Sequence, residues 1–171
     1  MLCWGAGCGG GRVEPRFAPG VSTPASMTVT SEAFREGGRL PVDNTCDGAG
    51  NFPPLTLSSA PEAAKSLVLV VEDPDVGTAL MVAFDLAPTT RTLTGDLKGA
   101  GPEARLGAND ARDVAFAAPC PAQGEGRRYR FRVIALDKAL GLREGATREA
   151  IEREMDGHVL GEGSLTGWFA H

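Results

Sequence analysis

A chain of 171 residues is long enough for one domain with a real core plus a tail. Its net charge of -5 leaves no basic excess to neutralise phosphates, which argues against a nucleic-acid binder, and no apolar run is long enough for a transmembrane span. Glycine at 23 and proline at 12, spread along the whole chain, favour many turns and short strands over a helix bundle.

The chain opens on MLCWGAGCGGGR, with Cys3 and Cys8 in a Gly-rich stretch. No His or further Cys lies nearby to complete a metal site, so none is expected. GAGCGGG reads instead as the remains of an export signal, a small-residue box ending in a Cys followed by Gly, which makes Cys8 the lipidation candidate. A signal also needs a basic start and an apolar region of about 7–15 residues, and both are missing. The first reading places the protein in the periplasm or anchored to the envelope; the alternative is a cytoplasmic protein with a disordered tail. Val13 to Ser26 holds three prolines and no periodic pattern. Residues 1–26 are therefore expected to be a disordered tail or signal remnant, and 27–171 the folded domain.

Met27 to Phe34, MTVTSEAF, alternates and reads as a first strand. LPVDNTCDGAGN (40–51) is turn-rich and polar, a long surface loop. Phe52 to Leu57 reads as an edge strand entered through Pro53 and Pro54. The stretch SLVLVVEDPD (66–75) is the centre of the pattern. Leu67 to Val71 form an unbroken, β-branched apolar run, which reads as a strand buried on both faces. Glu72, Asp73 and Asp75 then crowd its end. Pro74 pushes Asp73 into an extended conformation, and in an extended segment residues two apart point the same way. Asp73 and Asp75 are thus expected to share one side, either holding loops by hydrogen bonds or facing a ligand.

Leu80 to Leu86, LMVAFDL, reads as the antiparallel partner of that strand. Arg91 to Asn109 is irregular. Val114 to Ala118 leads into a stiff corner, Pro119-Cys120-Pro121. Arg128 to Leu136 is the clearest strand, with Tyr129, Phe131 and Val133 on one face and Arg128, Arg130 and Arg132 on the other. Thr147 to Met155 reads as a helix with Thr147 as N-cap, Gly157 as stop, and Ile151 and Met155 docking one face. Val159 to Phe169 returns as a last strand. Many strands followed by one or two short helices make a mainly β protein, an antiparallel β-sandwich with a helical appendage.

Taken in order, DNTCDGAGNFPPLTL (43–57), KSLVLVVEDPD (65–75), GAND (107–110), APCPA (118–122), RRYRFRVIALD (127–137) and GHVLGEGSLTG (157–167) resemble the phosphatidylethanolamine-binding protein family, in its bacterial Raf kinase inhibitor-like branch. The resemblance covers about residues 28–170. It implies a sandwich of two antiparallel sheets with a small surface pocket for an anion such as a phospholipid head group. The pocket is built from the DPD acids, a His of an HW pair, a GPxP corner, and the His and Tyr of an HRY triplet. The DPD acids match as Asp73 and Asp75. The HW pair is replaced by Leu80-Met81, the corner reads Ala118-Pro119-Cys120-Pro121, and HRY has become Arg127-Arg128-Tyr129, so both histidines are gone.

Leu80 cannot donate to a phosphate. Arg127 can, at any pH and with a fork suited to phosphate, or it pairs with Asp73 or Asp75 and fills the pocket with an internal salt bridge. Tyr129 is a pocket wall or core. The residual anion site is therefore Asp73, Asp75, Pro119, Arg127 and Tyr129. The resemblance also brings the loops of Cys46 and Cys120 to the pocket side. In an exported protein they form a disulfide closing about 74 residues, worth about 3–5 kcal/mol; otherwise they are buried free thiols. His158 is expected to hydrogen-bond loops, His171 to be solvated, and Asn109-Asp110 to be a turn or cap pair.

The reading is a non-catalytic binding protein without metal or cofactor, with a degraded pocket for a small anionic ligand or phospholipid head group. The alternative is a ligand-independent inhibitor that docks a protease or kinase as its protein partner. The third is a hydrolase using Asp73 and Asp75, in which close carboxylates push one pKa upward.

Overall fold

The computed structural model describes residues 15–171. The chain runs through β1 (Ala25–Ser26), β2 (Val29–Ser31), a 3-10 turn at Val42–Asn44, β3 (Leu55–Leu57), β4 (Ser66–Asp73) and β5 (Thr78–Leu86). It continues through β6 (Thr92–Leu93), β7 (Arg105–Leu106), β8 (Gly126–Leu136), α1 (Arg148–Met155) and β9 (Val159–Ala170). A six-stranded sheet has the order β1-β9-β8-β4-β5-β7, and a three-stranded sheet the order β2-β3-β6. The architecture is mainly β, two sheets packed as a sandwich rather than a closed barrel.

Strand β4 is buried at every position because both of its faces are covered. Leu67, Leu69 and Val71 point into the sandwich, where they meet Phe131 and Val133 of β8 and Val29, Leu55, Leu57 and Leu93 of the small sheet. Val68 and Val70 point the other way, into a second cluster with Val82, Phe84, Ile134 and Leu136 that is capped by Ile151 and Met155 of α1. Each such side chain contributes about 1.5–3 kcal/mol on burial. This double cover is why the sequence shows no polar alternation there. The helix forms as its sequence specifies: the Thr147 side chain accepts from the Ala150 N–H at 3.3 Å, and Gly157 takes φ 82 just past the end.

Four expectations are corrected. Residues 15–26, expected to be a disordered tail, are packed along β9. Arg16 bonds Asp156 at 2.7 Å, the Ala18 N–H donates to Val159 O at 2.8 Å, and β1 pairs with Gly161 and Glu162. This approach needs the glycines of β9, since a Cβ on Gly161 would lie 2.7 Å from Ala25 O and one on Gly163 only 2.0 Å from Met27 O. That pairing is parallel, so the large sheet is antiparallel in all but one edge. Strand β3 is not an edge; it lies between β2 and β6, and Pro53 and Pro54 precede it. The stretch 91–109, expected to be irregular, carries the two-residue strands β6 and β7.

At the outward-facing end of β4 the carboxylate of Glu72 is buried between Arg130 of β8 and Arg148 of α1, with Arg148 Nη2 2.6 Å from Glu72 Oε2 and Arg148 Nε 2.6 Å from Glu152. Burial pushes the Glu72 carboxyl up, but the two guanidinia outweigh it and hold it below the ordinary carboxylate range. Glu72→Gln should cost about 1.5–3 kcal/mol in urea unfolding at neutral pH, because it removes one of the two carboxylates that hold the buried Arg148 and leaves only Glu152. A double variant with Arg148→Met should cost less than the sum of the singles. Because the folded value is depressed, this stability is present above the unfolded glutamate pKa and fades as pH falls through the folded one.

Candidate functional site

Strand β4 ends at Asp73, and residues 74–77 form a turn closed by the Gly77 N–H donating to Asp73 O at 2.7 Å. The Asp73 side chain caps that turn: its Oδ1 accepts from the N–H of Asp75 at 2.9 Å and of Val76 at 3.3 Å. Asp73 is buried, and its other oxygen, Oδ2, lies 3.5 Å from Arg127 Nη1. Arg127 also places Nη2 2.8 Å from Glu125, in the exposed turn that precedes β8. One guanidinium thus bridges a buried and an exposed carboxylate.

Alternation along β8 sets which residues share this space. Arg127 and Tyr129 point to the same face, which continues inward as Phe131 and Val133. Burial, and then the charge of Asp73, push the Tyr129 phenol up to about 12, with Arg127 pulling the other way. Tyr129 is therefore both core and wall: nearly all of it is buried, and its ionisation senses the acid and the arginine beside it. Leu80 is buried in the same interior cluster.

Asp75 does not share a side with Asp73, as extended geometry had led us to expect. It lies in the turn, so the two-residue rule does not apply to it. It forms a bidentate pair with Arg128, whose side chain leaves β8 on the opposite face from Arg127. Hydrogen bonding from Arg128 holds the Asp75 carboxyl below its usual value. Asp73, Arg127 and Tyr129 are thus brought together, and Asp75 spends its hydrogen bonds on Arg128 instead.

Pro119 reaches the same end of the sheet by a different route. The corner is hung on β5 through the Ala117 N–H, which donates to Leu80 O at 2.9 Å. Asn109 and Asp110 brace it: Asn109 Nδ2 donates to Leu80 O at 3.2 Å and to Ala115 O at 3.3 Å, and Asp110 Oδ2 accepts from the Ala79 N–H at 2.9 Å. Pro119 O accepts from the Cys46 N–H at 3.1 Å. Cys46 and Cys120 are joined by a disulfide with Cα atoms 5.3 Å apart, which ties the 42–51 loop to the corner. Gly50 takes φ 70 there, and a Cβ on it would sit 3.2 Å from that of Ala118. His171 is exposed and also lies 2.8 Å from Asp47 on the same loop, while His158 bonds Asp137 at 2.7 Å. Cys8 and Cys3 lie outside the described residues.

Sequence reasoning passed over Glu125, read only as part of a turn. It stands just ahead of β8, outside the alternating strand, so no local period gave the direction of its side chain.

A family model described as phosphatidylethanolamine-binding protein matches residues 30–170. A UPF0098 protein of Methanothermobacter thermautotrophicus is 38% identical over 149 residues, covering 84% of this chain and 98% of its own. This relative is archaeal, so the proteins it resembles are not solely bacterial. A crystal structure of a putative phosphatidylethanolamine-binding protein homolog, CT736 from Chlamydia trachomatis, superposes with a TM-score of 0.76 at 36% identity, covering 85% of this chain and 98% of that one. The structure of YbcL from E. coli, described as a new member of the mammalian family, superposes with a TM-score of 0.77 at 24% identity over 86% of this chain and 99% of its own, and shows the fold.

Two measurements check this geometry. Tyr129 is the single tyrosine of the chain, so phenolate absorbance reports it alone. Its midpoint should lie at about 12 in the folded protein and near the ordinary value of about 10 in urea. The folded value is raised, so the linked stability is complete below the unfolded pKa and is lost as pH rises through the folded one. The variant Cys46→Ser/Cys120→Ser should be less stable by about 4 kcal/mol, read from its urea midpoint.

Proposed function

The chain belongs to the phosphatidylethanolamine-binding protein family, and from that membership we propose that it is a non-catalytic binding protein whose anion site is held shut by its own ion pair. The observation that carries this reading is the Arg127 bridge. Arg127 has one buried partner, Asp73, as an ion pair at 3.5 Å, and one hydrogen-bonded partner, Glu125 at 2.8 Å, whose side chain is half exposed and open to exchange with solvent anions. A phosphate or phosphate monoester, such as a phospholipid head group, takes Glu125's place on the guanidinium fork, while Asp73 keeps the arginine in position. The Tyr129 phenol, protonated across the physiological range, supports the site as a neutral donor.

The same contacts favour binding over turnover. The Asp73 carboxylate is committed to two backbone N–H groups and Arg127, and Asp75 is committed to Arg128 on the other face. General acid–base work by a carboxylate pair needs two acids that face one substrate, and these do not. The Cys46–Cys120 disulfide supports a protein that works in an oxidising compartment, the periplasm or envelope.

Titration with inorganic phosphate and with phosphoethanolamine, followed by amide chemical shifts around Gly126 to Tyr129, tests the proposal. Both ligands should bind at this site, with Arg127→Met abolishing binding. Glu125→Ala should tighten it about two- to fivefold, the scale set by an exposed ion pair. Preference for phosphoethanolamine over phosphate points to a head group; equal affinity points to the free anion. No shift with either ligand overturns the reading and leaves docking to a protein partner, the ligand-independent alternative.

A further inference from the structure

One cluster lies beside this site without taking part in it. Donor atoms of Cys46, Asp47 and His171 all lie within 4.8 Å of one another. Cys120 Sγ is bonded to Cys46 Sγ, so a fourth donor adjoins the three on the Cys46 side. We propose that when the disulfide is reduced, Cys46, Cys120, Asp47 and His171 close on a zinc ion. Two thiolates, an imidazole and a carboxylate are the ligand types that zinc takes in tetrahedral sites. In such a site the donors stand roughly 3.3–3.8 Å apart, from metal–ligand distances of about 2.0–2.3 Å. Cys46, Asp47 and His171 therefore have to contract little, while Cys120 Sγ parts from Cys46 Sγ and turns toward them.

The surroundings permit that movement and hold the donors in place. Cys46, Asp47, Cys120 and His171 are all exposed and all outside regular strands, so the metal has an entry path. Their main chains are nonetheless anchored. The Cys46 N–H donates to Pro119 O at 3.1 Å, the Asp47 N–H to Thr45 Oγ1 at 3.3 Å, and the His171 N–H to Glu125 O at 3.4 Å. Asp47 and His171 already face each other at 2.8 Å. In the oxidised protein Cys46 and Cys120 spend their sulfurs on each other and no thiolate is on offer.

The chemistry balances with a dithiol as reductant. The dithiol gives two electrons and two protons to the Cys46–Cys120 bond and closes to its own disulfide. The two new thiols then lose their protons as they bind the metal. The consequence is structural continuity: the 42–51 loop is clamped to the Pro119 corner by a covalent bond under oxidising conditions and by a metal under reducing ones. Zinc at a hundredfold excess over its Kd should shift the thiol–disulfide equilibrium about a hundredfold toward the dithiol, equivalent to about 60 mV.

The test uses the full chain carrying Cys3→Ser/Cys8→Ser, so that Cys46 and Cys120 are its only thiols. It is reduced with a trialkylphosphine, which ends as the phosphine oxide, and titrated with Co2+. The reduced chain should bind an equimolar amount, with the visible absorption of tetrahedral, thiolate-coordinated cobalt, and zinc should bleach it. The oxidised chain should show none. His171→Ala and Asp47→Ala, both surface changes, should each weaken binding by about tenfold or more. Far-UV circular dichroism follows the fold. A reduced chain that stays folded without the cobalt band overturns the proposal. So does one that unfolds and is not restored by zinc, or a cobalt affinity that neither substitution alters.

Discussion

The constraint on which the rest depends is the double cover of β4. With the small sheet on one face and α1 on the other, water is excluded from both sides of this strand, and any acid at its end carries a desolvation cost that a cation must offset. The cations come from the neighbouring strand. β8 runs antiparallel beside β4 with Glu72 opposite Arg130, and it is arginine-rich over this stretch. Adjacent residues of a strand face opposite ways, so the acids are sorted in pairs: Glu72 outward to Arg130 and Arg148, Asp73 inward to Arg127. The turn then delivers Asp75 to Arg128. The result is one set of ion pairs that fastens the helix to the sheet and another that forms the site.

This division decides what the inward pair can do. Arg127 stays charged at any working pH, so its bond to Asp73 does not switch off as one to an imidazole does. On the proposed reading, an incoming anion competes with Glu125 for one guanidinium. Asp73 is the partner that cannot leave, because its carboxylate also holds the turn of residues 74–77. Glu125 is the partner that can, since it stands in solvent, where an ion pair is worth little.

The sandwich, the two-faced burial of β4, the parity of β8 and the cap and docking face of α1 were all legible in the sequence, because each rests on a local period or a local cap. The membership of residues 15–26 in the large sheet was not. It depends on Gly161 and Gly163, far along the chain, leaving room for a parallel neighbour, and no local pattern encodes that. At the site, Asp73, Arg127 and Tyr129 were legible as a group through the family resemblance, and Arg127's role as an internal partner of Asp73 was one of two readings its chemistry allowed. Asp75 was misplaced because a strand rule was carried past the residue where the strand ends. Glu125 was missed because a turn residue shows its direction only once the strand after it is fixed. Asp85 was hidden for a similar reason: it sits in an apolar run, yet takes φ 55 and accepts from the N–H groups of Leu140 at 2.6 Å and Gly141 at 2.8 Å. A carboxylate that binds a loop leaves no trace in hydropathy.

Loops carry the remainder of the site, and they are held differently from the strands. The 42–51 loop has buried anchors in Asn44 and Thr45, but Cys46 to Ala49 stand exposed and gain little from packing. What keeps this part of the loop on the Pro119 corner is a bond to Cys120, a pair with His171 and a main-chain hydrogen bond to Pro119. His171 in turn donates through its main-chain N–H to Glu125 O, the residue whose side chain competes for Arg127. The rigid sheet thus fixes Asp73 and Arg127, while cross-links at the loop end fix the turn that supplies the competing carboxylate. On the proposed reading, a change in those cross-links would reach Arg127 through Glu125, and would leave Asp73 where β4 put it.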